Sequence, residues 1–274
     1  MLQESRISFI GSGTMAEAMI KGILSHNLIA PERITASGPR PERGQELHER
    51  YGVVGTTDNQ AAADIGEIVV FSVKPQILPD VLQELRGHIS RNALILSIVA
   101  GARIDTILDV LGHPAIVRAM PNTPAQVGKG MTVWTCTEEV DEKQQGQARS
   151  ILGALGEELF VEDEDYLDMA TALSGTGPAY IFLFMEALID AGVHLGFSRR
   201  VATQLVLQTM EGSLAIARQT GAHPVVLRNM VTSPGGTSAE ALYELEKGGL
   251  RTVLSKAIWA AYRKSRILGG YAEK

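Results

Sequence analysis

The sequence predicts an α/β protein in two parts, a sheet flanked by helices and then a purely helical region. Three observations carry this. A glycine-rich turn follows the first strand and opens a helix, near-continuous apolar runs recur up to about residue 120, and strand signals cease near residue 163. Apolar runs without alternation suit parallel strands covered on both faces, whereas a half-exposed strand would alternate.

Composition narrows the class. The chain has 274 residues, 45% hydrophobic and 20% charged, enough for one large domain or two ordinary ones with a sizeable core. A net charge of -6 argues against nucleic acid as a partner. The single cysteine, Cys136, excludes an intramolecular disulfide framework and a multi-cysteine metal site. Its flanks "VWTCT" read as a strand, which makes it a buried structural thiol. The first residues carry charges where a signal peptide needs an apolar run. The most apolar later segment, 178–193, is interrupted by Glu186 and Asp190 before ~18 residues, so no membrane span is expected. A cytoplasmic enzyme is the default.

The first strand, 6–10, runs into Gly11-Ser12-Gly13-Thr14-Met15-Ala16, and the helix continues to about residue 28. This is G-x-G-x-x-A between a strand and a helix, the context of the dinucleotide fingerprint. Gly11 permits the tight turn, Gly13 leaves room for a pyrophosphate, and Ala16 lets helix and strand pack closely. The helix N-terminus offers N–H groups to the phosphates. Residues 1–162 are therefore expected to form a Rossmann-like NAD(P)-binding domain.

The second strand ends near Ser37, where an NAD site normally carries Asp or Glu for the ribose 2′-hydroxyl. Here Ser37, Gly38, Pro39 and Arg40 stand instead, with Arg43 following. Hydroxyl and guanidinium suit a 2′-phosphate, so NADPH is the expected cofactor, with NADH possible.

Further strands are expected at 53–54, 67–73, 92–99 and 114–120, with helices at 60–66, 76–87 and 102–111. Open α/β sheets bind ligands just beyond their strand ends. There lie Val73, Lys74 and Pro75, then "SIVAG" with Ala100 and Gly101, then Met120 to Pro124. In this last loop Asn122 and Thr123 present donors and acceptors. Two more strands are expected at 130–135 and 157–161, separated by a helix over 139–154.

From 163 to 274 the pattern is helical. "SGTGPAY" reads as a glycine-rich turn before a long helix whose Ile181, Phe184, Met185 and Leu188 share an apolar face. A second helix spans 198–219 with Ser198 as N-cap, and a last one spans 249–267. Such long amphipathic helices in a small domain predict a homodimer that buries them. Between them, Pro234, Gly235 and Gly236 sit among Thr232, Ser233, Thr237 and Ser238. The six histidines are scattered without ligand spacing, and no metal site is expected.

Taken together, "GSGTMA", "FSVKP", "SIVAG", "VRAMPNTPA", "LSGTGPAY", "EALIDAGVHLG" and "VTSPGGTS" resemble the pyrroline-5-carboxylate reductase family over essentially the whole chain. The last three in this order are the specific ones. The resemblance implies NAD(P)H-dependent reduction of a small imino acid, L-1-pyrroline-5-carboxylate, to L-proline, the last step of proline biosynthesis. It also implies an intertwined dimer through the C-terminal helices, sometimes a larger ring of dimers.

By the same resemblance, the Ser233, Gly235, Gly236 and Thr237 turn binds the substrate carboxylate. Thr237 and Ser238 are the catalytic candidates, and Asn122 adds a substrate contact. Cofactor contacts are implied at Gly11, Gly13, Thr14, Met15, Ser37, Arg40, Asn59, Val73, Lys74, Pro75, Ala100 and Gly101. The family often has threonine where this chain has Ser238; the hydroxyl survives, without the methyl that restricts its rotamer. Another imine or keto-acid reductase on the same scaffold is the nearest rival.

Overall fold

The structure, a computed structural model, describes residues 2–270. Eight strands form one sheet: β1 (Ile7–Ile10), β2 (Ile34–Ser37), β3 (Val54–Thr56), β4 (Ile68–Phe71), β5 (Leu94–Ser97), β6 (Ile116–Met120), β7 (Gly130–Cys136) and β8 (Gly156–Phe160). Their order is β3-β2-β1-β4-β5-β6-β7-β8, and the first six are parallel. This is the Rossmann-like arrangement, with the order reversing between β1 and β4.

The first five crossovers are α1 (Thr14–Ser25), α2 (Pro41–Tyr51), α3 (Asn59–Ile65), α4 (Leu78–Glu84) and α5 (Ile104–Leu111). Period-two alternation sends side chains to both faces. Phe9, Val70 and Leu96 pack with α1 and with α6 (Glu142–Gly153) in one core cluster. Ile10, Phe71 and Ile95 pack with α3, α4 and α5 in the other. The near-continuous apolar runs follow from this double burial.

Two local features go beyond the sequence reading. The sheet is not wholly parallel, because β7 runs antiparallel to β6. The connection 121–129 holds only a short 3-10 turn, and a parallel return needs a dozen or more residues. β8 then pairs parallel to β7 across α6. Second, a helix begins directly after Arg40. Pro41 opens α2 at its first position and Gly52 closes it at φ 73°, placing Arg43 inside a helix.

Among the described residues after Phe160, the regular elements are all helical. They are α7 (Tyr166–Ala170), a π turn over Thr171–Gly175, α8 (Gly177–His194), α9 (Arg199–Thr220), α10 (Pro224–Met230), α11 (Thr237–Lys247) and α12 (Leu250–Leu268). The glycine-rich "SGTGPAY" is not a turn before a helix but part of a continuous one. Thr176 N–H and its hydroxyl both reach the Thr171 carbonyl at 2.8 Å, which carries the chain through as a π turn. The run Tyr166–His194 thereby reaches 29 residues and contains an 18-residue stretch of mean hydropathy 1.4, long and apolar enough by length and composition to cross a membrane. Glu186 and Asp190 did not cut it short, since the span gains its length on the N-terminal side.

Two compact units result, residues 1–176 with 261–274, and residues 177–260. Within the second, α8 and α9 pack closely where Gly192 faces Ala202; a Cβ on Gly192 would lie 3.0 Å from the Ala202 methyl. Ser198 caps α9 by accepting from Val201 N–H. Among the described residues of this unit, Ala202 is the only one buried. Ile181, Phe182, Leu183 and Phe184 are each two-fifths or more exposed. A helical unit with almost no interior of its own must bury its apolar faces elsewhere.

Candidate active site

The site begins at the β1–α1 turn. Gly11 has φ 106°, and a Cβ there would meet the Ser72–Val73 backbone at 2.7–2.8 Å. Only glycine fits both conditions. Ser72, just past β4, donates to the Gly11 carbonyl at 2.7 Å and fixes the turn. Gly13 is different in kind. Its φ is −76°, and a Cβ would meet nothing within 4 Å. No protein atom there excludes a side chain, so the open space fits a group that must approach the backbone from outside. Gly13 is the N-cap of α1 without a side-chain cap, and Thr14 stands exposed on the first turn. Uncapped N–H groups beside an open cradle fit a pyrophosphate.

A carboxylate on that first turn would repel phosphates, and one is present: Glu17. It is neutralised locally. Arg43 and Arg50 both pair with it, Arg50 at 2.7 Å, and the Tyr51 hydroxyl donates to it at 2.8 Å. Burial pushes the Glu17 carboxyl up, but hydrogen bonds from Arg43, Tyr51 and Arg50 outweigh this and hold it below its ordinary 4.5. Burial also opposes the Arg43 charge; its bonds to Glu17 and Glu46 more than compensate, raising it. Arg43 further donates to the Ser12 carbonyl at 3.0 Å. It is therefore engaged as a brace for the fingerprint, while Arg40, at the N-cap of α2, is exposed.

At the end of β2 the Ser37 hydroxyl is buried and donates to Asn59 Oδ1. The two expected cofactor residues thus engage each other. Asn59 Nδ2 donates onward to Glu84 Oε2 at 2.9 Å.

Beyond β4, β5 and β6 a cleft of about 310 Å³ opens. Met15, Val73, Pro75 and Ala100 line it, as does Asn122, so these five expected residues come together. The volume sits at the lower end for small-molecule sites, enough for one flat ring. Lys74 is exposed and does not line the cleft; its carbonyl accepts from Ile77 N–H. Gly101 is buried behind Ala100 at φ 75°, with a hypothetical Cβ 2.9 Å from Leu268 Cβ.

Asn122 is also tied to the protein at both ends of its side chain. Its Oδ1 accepts from Met131 N–H at 2.9 Å and its Nδ2 donates to the Ser174 carbonyl at 3.0 Å. Both ends of the amide hold the surrounding backbone, joining β7 to the π turn whose Gly175 also lines the cleft.

In the helical unit, Gly235 has φ 69° and Gly236 is the N-cap of α11, with no side chain to cap it. Gly236 N–H donates to the Ser233 carbonyl at 3.0 Å, and a Cβ on Gly236 would lie 2.5 Å from Ser233 Oγ. The turn brings Ser233, Gly235, Gly236, Thr237 and Ser238 to one exposed helix start. Thr232 instead donates to the Arg228 carbonyl at 2.7 Å and closes α10.

Sequence reasoning missed Ser72, Glu17, Gly175 and Glu84. Ser72 stood inside the strand expected over 67–73, so its place just past β4 was not legible. Cys136 is half-buried at the end of β7, where burial pushes its thiol up.

The family model described as "Pyrroline-5-carboxylate reductase dimerisation" matches residues 164–268, and one described as "NADP oxidoreductase coenzyme F420-dependent" matches 6–101. A pyrroline-5-carboxylate reductase from Synechocystis is 40% identical over 264 residues, covering 96% of this chain and 98% of that protein. The crystal structure of Plasmodium falciparum pyrroline carboxylate reductase with NADP bound aligns with a TM-score of 0.90 at 33% identity, covering 98% of this chain and all of the other. The structure of a pyrroline-5-carboxylate reductase from Coxiella burnetii gives 0.88 at 38% identity, over 96% and 98% of the two chains. With likeness of this strength across both units, the chain belongs to the pyrroline-5-carboxylate reductase family.

Proposed function

We propose that the protein reduces L-1-pyrroline-5-carboxylate to L-proline with NAD(P)H, NADPH being the better donor, as the last step of proline biosynthesis in the cytoplasm. The observation that carries this reading is 40% identity to a pyrroline-5-carboxylate reductase over 96% of the chain. Fold alone would not suffice, since unrelated activities share such sheets.

When bound, the dinucleotide supplies a hydride to the imine carbon. The chain's own residues bind and orient. Gly13 and the α1 N-terminus take the pyrophosphate, while Met15, Val73, Pro75 and Ala100 give the nicotinamide an apolar seat. Arg40 takes the 2′-phosphate beside Ser37 and Asn59. Lys74 and Gly101 support the strand-end loops, and Asn122 holds the cleft's backbone in place. In the helical unit, the N–H groups at Gly235 to Thr237 and the Ser233 hydroxyl take the substrate carboxylate. Thr237 and Ser238 hydrogen-bond the ring nitrogen, which carries its proton from solution, so no strong acid is needed. The functional division falls at 162/163, and the apolar faces of α8 and α9 are covered by a second copy, with larger rings of dimers built on that pair.

The test is a substrate panel with NADPH and NADH in parallel. Oxidation with pyrroline-5-carboxylate far above that with pyrroline-2-carboxylate or short 2-keto acids, yielding proline, supports the reading. Preference for another member of the panel would replace it with the rival reductase.

A further inference from the structure

We infer that Glu84 governs how strongly the protein discriminates between phosphorylated and unphosphorylated dinucleotides. This rests on the reading of the strand ends as an NAD(P)H site. From sequence, the end of β2 lacks the carboxylate that would hold a ribose diol and repel a 2′-phosphate. The structure supplies one from another element. Ser37 Oγ donates to Asn59 Oδ1, and Asn59 Nδ2 donates to Glu84 Oε2 at 2.9 Å. Gln60 Nε2 donates to the Glu84 carbonyl at 3.0 Å and holds the end of α4 beside this pair.

The relay fixes the Asn59 amide, its oxygen toward Ser37 and its nitrogen toward Glu84. A 2′-phosphate arriving at Ser37 and Asn59 needs donors. Glu84 competes for the Asn59 donor and adds a like charge at close range. Asp58, the other nearby acid, is occupied as the α3 N-cap, accepting from Ala61 N–H at 2.9 Å. Glu84 also closes α4, whose last turn holds no basic residue. A negative charge is disfavoured at a helix C-terminus, so the helix itself gains nothing from it. Arg40 attracts the phosphate and Glu84 opposes it; their balance sets the selectivity.

The experiment compares wild type with Glu84→Gln, which keeps an acceptor for Asn59 without the charge, and Glu84→Asp, which keeps the charge. Dissociation constants for adenosine 2′,5′-bisphosphate and for AMP isolate the adenosine end, and KM values for NADPH and NADH follow. Glu84→Gln should tighten the bisphosphate and lower the NADPH KM about 3- to 10-fold, with AMP and NADH shifting less than about 2-fold. Glu84→Asp should stay near wild type. The gain should shrink at high salt. An unchanged ratio in Glu84→Gln, or equal shifts for both ligands of each pair, overturns the inference while the functional reading stands. Wild type that binds neither dinucleotide overturns both.

Discussion

Two glycines separated by a single residue in one motif do different work. At Gly11 the protein's own backbone excludes a side chain, while at Gly13 only a ligand could. Gly11→Ala should therefore lose about 1–3 kcal/mol of stability along with cofactor affinity. Gly13→Ala should fold within about 0.5 kcal/mol of wild type, yet bind NADPH much more weakly. Denaturation and cofactor titration on the two variants separate these outcomes. Equal destabilisation by both would contradict the assignment of Gly13 to a phosphate. The fingerprint was legible from residue types and position, but the distinction was not, because Ser72 approaches Gly11 from a strand about 60 residues away. Asn122 shows the same limit. Its bonds to Met131 and Ser174 tie it into the backbone around the cleft, which residue type alone does not reveal.

At the scale of elements, α1 and α2 are joined by Glu17 with Arg43, Arg50 and Tyr51. Glu17 is held below 4.5 in the folded protein, so its contribution to stability is fully present above that value and is lost as pH falls through the lower folded one. Glu17→Gln should cost about 1–3 kcal/mol at neutral pH and flatten the stability loss below about pH 4.5. Urea unfolding across pH 3–7 checks this; parallel curves for variant and wild type would contradict it. The helix α2 itself went unread because Pro39, Pro41 and two arginines look like a solvated turn. Pro41 is in fact the first helical residue, where its missing N–H costs nothing. The π turn was hidden likewise, since Gly175 and Gly177 suggest a break and only the Thr171 carbonyl explains continuity. The antiparallel β7 depended on loop length, which could have been counted.

At the scale of the molecule, the sheet unit closes a double core around itself and the helical unit does not. Periodicity was enough to foresee the second unit's long helices. Their exposure became visible only in the folded chain, where Phe184 is 42% and Leu183 67% exposed. Subunit pairing through these faces predicts that Phe184→Glu yields a monomer by sedimentation that still binds NADPH but turns over poorly. A fully active monomer would refute the pairing.

The central claim is that hydride reaches the imine carbon of pyrroline-5-carboxylate. Its most direct test uses NADPH carrying deuterium at nicotinamide C4, on the face being transferred, and locates the label in the product. The account predicts proline with one deuterium at the δ carbon, the ring carbon remote from the carboxylate. Label at the α carbon, or unlabelled proline, would contradict it.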